Sequence, residues 1–508
     1  MNGKSRACSP VHLQLWLLAS CVWGAGCGGS SPLPENSAPG EAATTSLSGT
    51  EGTEELPDSR QGPSGPIPSV EPIVFPPVPE LAAQPQFRPR DARPQHDPAQ
   101  ARELGIELYR SRRLLLWTDV PAMQAERLPD LVDALYEELE RYFGSLPPEP
   151  GGGDYQLSGY LMRDPERFRQ AGMLPRELPQ FEHGRHLGRE FWLFDQQHDY
   201  YRAHLVLHEA THCFMTTMPG TLPPIWYMEG MAEHFATHRR TAAGELRFGV
   251  LPENVADYAG FGGVQLIQRE LQEGRALSVR EVLQLGSVEF SQSKTIPYAW
   301  SWYLCQLLNR HPRYRERFRE LRNWLSDPRF VQELAARLEP EAVLLEAEWG
   351  LAVRSLELGY DPALAELQLV ELSSLADGAE RAVPVQANLG WQSTGLLLEP
   401  HTTYEITAEG RVVVAETSRP WESTADGITI RYAGGQPMGR LLAVVVPVDW
   451  EQRGEIWERP IRGIGQRGRI SGQTAGTGLL LLRVNDRWGE LTANQGAFRV
   501  TIRTISAD

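Results

Sequence analysis

His208-Glu209-Ala210-Thr211-His212, then Ile225-Trp226-Tyr227-Met228-Glu229-Gly230-Met231-Ala232-Glu233-His234-Phe235, decides how this chain of 508 residues is read. The first segment lies in a stretch, 203–217, whose composition favours a helix. Two histidines four apart on a helix project from one face, so both rings can reach one cation. The glutamate between them lies beside that cation, where it can take a proton from a bound water. Pro219, Gly220, Pro223 and Pro224 end this helix and turn the chain. Glu229 and Glu233, again four apart, share a face of the next helix. A zinc site built for catalysis takes three protein ligands and keeps one position for water. His208, His212 and Glu229 supply two imidazoles and a carboxylate. Glu233 is placed to hydrogen-bond a ligand imidazole and fix its tautomer.

His208-Glu209-x-x-His212, the proline-rich turn and Trp226-x-x-Glu229-Gly230-x-Ala232-Glu233 together resemble the gluzincin metallopeptidases. Within them the pattern is similar to the bacterial peptidase MA-like branch, over about residues 105–345. The resemblance implies zinc at His208, His212 and Glu229, Glu209 as general base, and a peptide or protein as substrate. Met228 stands where many gluzincins have asparagine, and Glu233 where some have aspartate; neither change removes a ligand. Pro297-Tyr298-Ala299-Trp300-Ser301-Trp302 opens a further amphipathic helix. Related peptidases begin the corresponding helix in a similar way, which implies Tyr298 as a donor to the tetrahedral oxyanion. A packing tyrosine is the other reading of that residue. His183, His186, His198 and His204 crowd the approach to the motif and read as loop histidines rather than ligands. Cys213 reads as a small buried apolar residue.

The N-terminus reads as a lipoprotein-type signal over residues 1–27. Lys4 and Arg6 precede a short apolar run, 13–19, too short to span a bilayer. Leu18-Ala19-Ser20-Cys21 matches a lipobox, with Cys27 as the other lipidation candidate. An ordinary cleaved secretory signal is the bland alternative. All of these readings place the protein outside the cytoplasm, in a bacterial cell envelope, and the lipid anchor makes the membrane a partner. Residues 28–101 are rich in Pro, Ser, Gly and Glu and read as a disordered tether. The net charge of −16 argues against nucleic-acid binding, which wants a basic face. Five cysteines, three of them within the first 27 residues, leave no disulfide framework for the body.

A body over 102–362 begins with a strand at 113–119 and a helix whose apolar face is Leu128, Leu131, Val132, Leu135, Leu139 and Tyr142. Strands follow at 155–162 and 191–194, and the Phe191 strand is either internal or an edge open to an extended peptide. From 363 to 508 short alternating strands between Gly, Pro and Asn turns read as a sandwich. This segment resembles the calcium-dependent galactose-binding lectin of bacteria, a jelly-roll sandwich. The resemblance implies calcium at Asp486, Glu490 and Asn494, and a glycan as a second partner. Calcium takes six to eight oxygens, and the lectin's sugar-contacting histidine and glutamine have no counterpart near Asp426-Gly427.

The sequence thus predicts a multidomain protein: an α+β gluzincin-like domain followed by an all-β sandwich. The expected activity is zinc-dependent hydrolysis of peptide bonds. Two rivals stand beside it: a non-catalytic, zinc-retaining envelope protein whose sandwich binds glycans, and an amidase acting on cell-wall peptides.

Overall fold

A computed structural model describes residues 87–220, 223–293, 295–416, 419–447, 457 and 459–505. Cys21, Cys27, the signal segment and the tether as far as residue 86 lie outside the described residues. Among the described residues no helix is long and apolar enough to cross a membrane.

The chain is multidomain and α+β. The first half is built on a five-stranded mixed sheet, in the order β1 (Glu107–Arg110), β2 (Leu114–Thr118), β3 (Leu157–Met162), β5 (Glu190–Phe194), β4 (Gly184–Leu187). β2, β3 and β5 run parallel, while β1 and β4 are antiparallel to their neighbours. The Phe191 strand is therefore internal, and β4 is the edge. Periodicity cannot rank the two, because β5 is buried on both faces, with Phe191, Trp192 and Leu193 all in apolar cores.

Four helices place the motif. Helix α1 (Leu128–Phe143) lays Leu128, Val132, Leu135 and Leu139 into the core, while Leu131 and Tyr142 are only partly buried. Helix α2 (Asp199–Met215) carries the two motif histidines, and α3 (Ile225–Ala236) carries Glu229 and Glu233. Helix α4 (Ile296–Arg310) starts with Pro297 in its first turn, where the missing N–H costs no hydrogen bond. Helices α2, α3 and α4 are buried nearly all round, as helices in the centre of a large core are.

Residues 87–101, assigned to the tether by composition, pack on the body instead. Arg88 is buried and donates to Pro147 O and Gly153 O, at 2.9 Å each. Arg189 donates to Pro89 O at 2.7 Å, and the His96 ring meets the Tyr160 hydroxyl at 2.9 Å. Polar contacts anchor this strap, so a count of apolar residues does not reveal it.

The second half is a sandwich. One sheet runs Pro420–Ser423, Val412–Glu416, Gln495–Ile505, Thr403–Glu409, Arg467–Ser471, with Glu380–Gln386 also paired to the long strand. The other runs Arg462–Gly463, Leu441–Val446, Gly478–Val484, Gln392–Leu398. Leu441–Val446 and Gly478–Val484 are buried at every residue. Leu441, Ala443 and Val445 join Leu480, Leu482 and Val484 in the sandwich core. Leu442, Val444 and Val446 join Leu479 and Leu481 in the same apolar core as the helices. Strands without polar alternation are what burial on both faces requires.

A buried cation sits in this junction. The Arg483 guanidinium lies 3.9 Å from the centre of the Trp488 ring and 5.6 Å from that of Trp391. It donates to Asp486 O at 2.7 Å, and Glu357 accepts the Trp488 backbone N–H at 2.6 Å. Sandwich and helical body thus share one core. Calorimetry on the full chain should show one cooperative unfolding transition, with Trp488→Ala lowering its stability by roughly 3 kcal/mol. Two independent transitions, only one of them moved by the substitution, would contradict a shared core.

Candidate metal centre

Helix α2 is held by two stacked tyrosines. The Tyr136 hydroxyl of α1 donates to Ala210 O at 3.2 Å, and the Tyr155 hydroxyl donates to Cys213 O at 2.9 Å. Cys213 is a buried free thiol, as its place on the helix predicts. Helix α3 lies against α4 through Gly230, where a Cβ would stand 2.5 Å from Ser301 O and 2.7 Å from Cys305 Sγ. The glycine after Glu229 is thus a packing requirement, and it brings α4 against the helix that carries the carboxylates.

On these helices His208 Nε2, His212 Nε2 and Glu229 Oε2 converge. The two nitrogens are 3.0 Å apart, and the carboxylate oxygen is 3.0 Å from His212 Nε2 and 3.3 Å from His208 Nε2. All three side chains are fully buried. Two imidazole nitrogens and a carboxylate oxygen aimed at one point can hold a metal ion. Without one, two facing ring nitrogens can share only a single proton.

Glu233 adds the outer contacts. Its Oε1 is 3.2 Å from His208 Nδ1, which turns His208 Nε2 inward. Its Oε2 is 2.9 Å from His204 Nε2. The His204 ring is itself packed among Tyr201 and Phe261, at 5.8 and 5.1 Å between centroids. A row thus runs His208, Glu233, His204 through the buried interior. His204 is therefore no loop histidine: it lies on α2, four residues before His208, a spacing that the sequence itself displays.

The electrostatics express a demand for positive charge. Burial alone would raise the Glu229 carboxyl, but the His212 and His208 rings outweigh it and hold it at about 2. Burial is likewise overridden at Glu233 by His204 and His208, again to about 2. The His208 ring, which burial would push down, is pushed up to about 10 by Glu229 and Glu233. These groups titrate as a unit, and a cation bound between them meets the same demand.

Glu209 stands beside the convergent trio and is not part of it. Its side chain is fully buried, and neither carboxylate oxygen accepts a hydrogen bond from a described residue. It lies under the edge strand: a Cβ on Gly184 would stand 2.6 Å from Glu209 Oε1. Two residues on, His186 Nδ1 is 3.4 Å from Glu209 Oε2. The His186 ring stacks on His212 at 4.6 Å and 20°. Burial lowers the His186 pKa. Sequence reading misses this residue too, because nothing local marks β4 as the strand over the motif. The Tyr298 ring is fully buried, 6.3 Å from the His208 ring and edge-on to Phe290 at 4.9 Å. Of the other two histidines before the motif, His198 directly precedes the first turn of α2. His183 stands beside Glu182, at 3.8 Å.

In the sandwich, Asp486 and Asn494 meet and Glu490 does not join them. Asn494 Nδ2 donates to Asp486 Oδ2 at 2.9 Å, and Asp486 Oδ1 accepts the Arg487 N–H at 2.7 Å. Glu490 instead faces Arg431 and Arg487, at 3.7 Å each. Asp486 and Asn494 thus lie together, Glu490 is turned to the two arginines, and Asn494 Oδ1 is buried without a hydrogen bond among the described residues.

Competition with a chelator measures the metal centre directly, with Zn²⁺ as the probe. Glu229→Gln should weaken binding by more than about a hundredfold, and Glu233→Gln by about 10–100-fold, the range for partners behind a ligand. Undiminished affinity in Glu229→Gln would remove that carboxylate from the site.

No family model and no curated protein matches this chain. Among solved structures, one described as "EclA N-terminal domain; PllA-like lectin" matches at 18% identity, with a TM-score of 0.19. That match covers 25% of this chain and 96% of the other.

Proposed function

We propose that this chain is a zinc-dependent peptidase of the gluzincin type that works outside the cytoplasm. One observation carries the reading. Three metal-binding atoms converge within 3.3 Å of one another, and the residue next to His208 on the same helix is a fully buried carboxylate, Glu209. Ligands about 2.0–2.1 Å from a tetrahedral zinc are about 3.3 Å apart, close to the separations found here. Two imidazoles and one carboxylate suit zinc better than calcium or magnesium, which prefer all-oxygen sites.

Zinc, when bound, lowers the pKa of a coordinated water and polarises the carbonyl to be attacked. His208, His212 and Glu229 would hold the zinc, and Glu209 is the residue that would accept a proton from the attacking water and pass it to the leaving amine. Glu233 holds the His208 ring with Nε2 inward. Tyr298, on the wall beside His208, donates to the oxyanion as the carbonyl becomes tetrahedral. Edge strand β4, which passes over Glu209, offers its free backbone groups to an extended peptide.

A further buried carboxylate, Glu209, also favours this reading over a non-catalytic metal site, which needs only its ligands. The signal segment and lipobox cysteine support export and anchoring to an envelope membrane.

Peptide-library cleavage, with and without a chelator, tests the proposal. The full-length protein should cleave, and the chelator should abolish cleavage. Glu209→Gln should keep its zinc and lose about 10²–10⁴-fold in rate. Equal cleavage by Glu209→Gln and the parent would overturn the mechanism.

A further inference from the structure

His186 has no part in this mechanism, yet its Nδ1 faces the Glu209 carboxylate. We propose that His186 is a positioning residue for the base: its Nδ1–H donates to Glu209 Oε2 and fixes the carboxylate. This inference rests on the peptidase reading for its consequence, but not for its geometry.

The pairing follows from two unsatisfied groups. Glu209 Oε2 is buried and accepts no hydrogen bond within ordinary limits; His186 Nδ1 is buried and makes none. They stand 3.4 Å apart. An ordinary N–H···O bond spans about 2.9–3.0 Å and is close to straight, so an approach of about 0.5 Å with a small turn of the ring joins them. Catalytic hydrogen bonds are often long before substrate arrives and tighten in the complex.

The surroundings favour this role over metal binding. Among the described residues, His186 does not belong to either group of ligand atoms that converge. Its ring lies nearly parallel to His212, a packing that holds the imidazole plane while Nδ1 faces Glu209. The backbone is arranged for the same contact. Gly184 leaves room for Glu209 Oε1, where a Cβ would intrude to 2.6 Å, and His186 reaches Oε2 from two residues along the same strand. Edge strand β4 thus touches both oxygens of one carboxylate. A peptide that pairs with β4 would press on the strand that orients the base, so seating of the substrate and alignment of Glu209 are linked.

Two measurements on the full-length, zinc-loaded protein test this. The first is the ¹⁵N spectrum of the histidine rings, with His186 assigned from its loss in His186→Asn. The proposal predicts a proton on Nδ1 and a bare Nε2, and a shift of the Nδ1 signal in Glu209→Gln. A bare Nδ1, or a signal indifferent to Glu209→Gln, overturns it. The second is kinetic. His186→Leu and His186→Gln should lower kcat by about ten- to a hundredfold, as misplacement of a reacting group does, with KM and zinc affinity little changed. His186→Asn, whose amide places a donor near Nδ1, should recover most of kcat. Rescue by His186→Gln instead, whose donor lies near Nε2, overturns the assignment. If the parent cleaves no peptide, the peptidase reading fails, and the ¹⁵N result still decides whether His186 holds Glu209.

Discussion

Three fully buried carboxylates, Glu209, Glu229 and Glu233, set the terms for the first half of this chain. Charge in a low-dielectric core is tolerated only when it is matched. Two of the three are matched by histidine nitrogens at 2.9–3.3 Å, and the convergence of His208, His212 and Glu229 leaves a place for a cation. Helices α2 and α3 carry all of these groups, so the apolar residues around them act as a mould for a polar cluster. Gly230 permits the close contact with α4, and the Tyr136 and Tyr155 hydroxyls hold α2 by its carbonyls.

Rigidity on the far side comes from the sandwich. Two strands of one of its sheets, Leu441–Val446 and Gly478–Val484, are buried on both faces, so the second half of the chain closes the core of the first. The Arg483 guanidinium between two indoles and the Glu357 bond to Trp488 mark a junction with defined geometry rather than a loose linker. The strap of residues 87–97 packs on the first half through Arg88, bonded to Pro147 O, and His96, which lies against Trp117 and Tyr160 of β2 and β3.

The metal-binding residues are legible in the sequence because a helix converts spacing into geometry. Positions four apart share a face whatever the rest of the fold does, so spacing alone groups His208 with His212 and Glu229 with Glu233. His204 obeys the same spacing and belongs with them. His186 and Gly184 have no such signal, since their place depends on strand order, and β4 precedes β5 in sequence but lies outside it in the sheet. Strand order also keeps the Phe191 strand ambiguous. Leu441–Val446 and Gly478–Val484 show a related limit: an unbroken apolar run announces burial on both faces without naming the second partner. At Asp486, Glu490 and Asn494 residue types suggest a cation, whereas the direction of the Glu490 side chain depends partly on Arg431, which is distant in sequence and carries no motif.

The convergence of two imidazoles and one carboxylate on a metal is the claim on which the rest stands. X-ray absorption on the full-length protein with one equivalent of zinc tests it most directly. The account predicts a first shell of nitrogen and oxygen only, at about 2.0–2.1 Å, with the outer scattering of two imidazoles, reduced to one in His212→Ala. A sulfur shell, or imidazole scattering unchanged in His212→Ala, would contradict it.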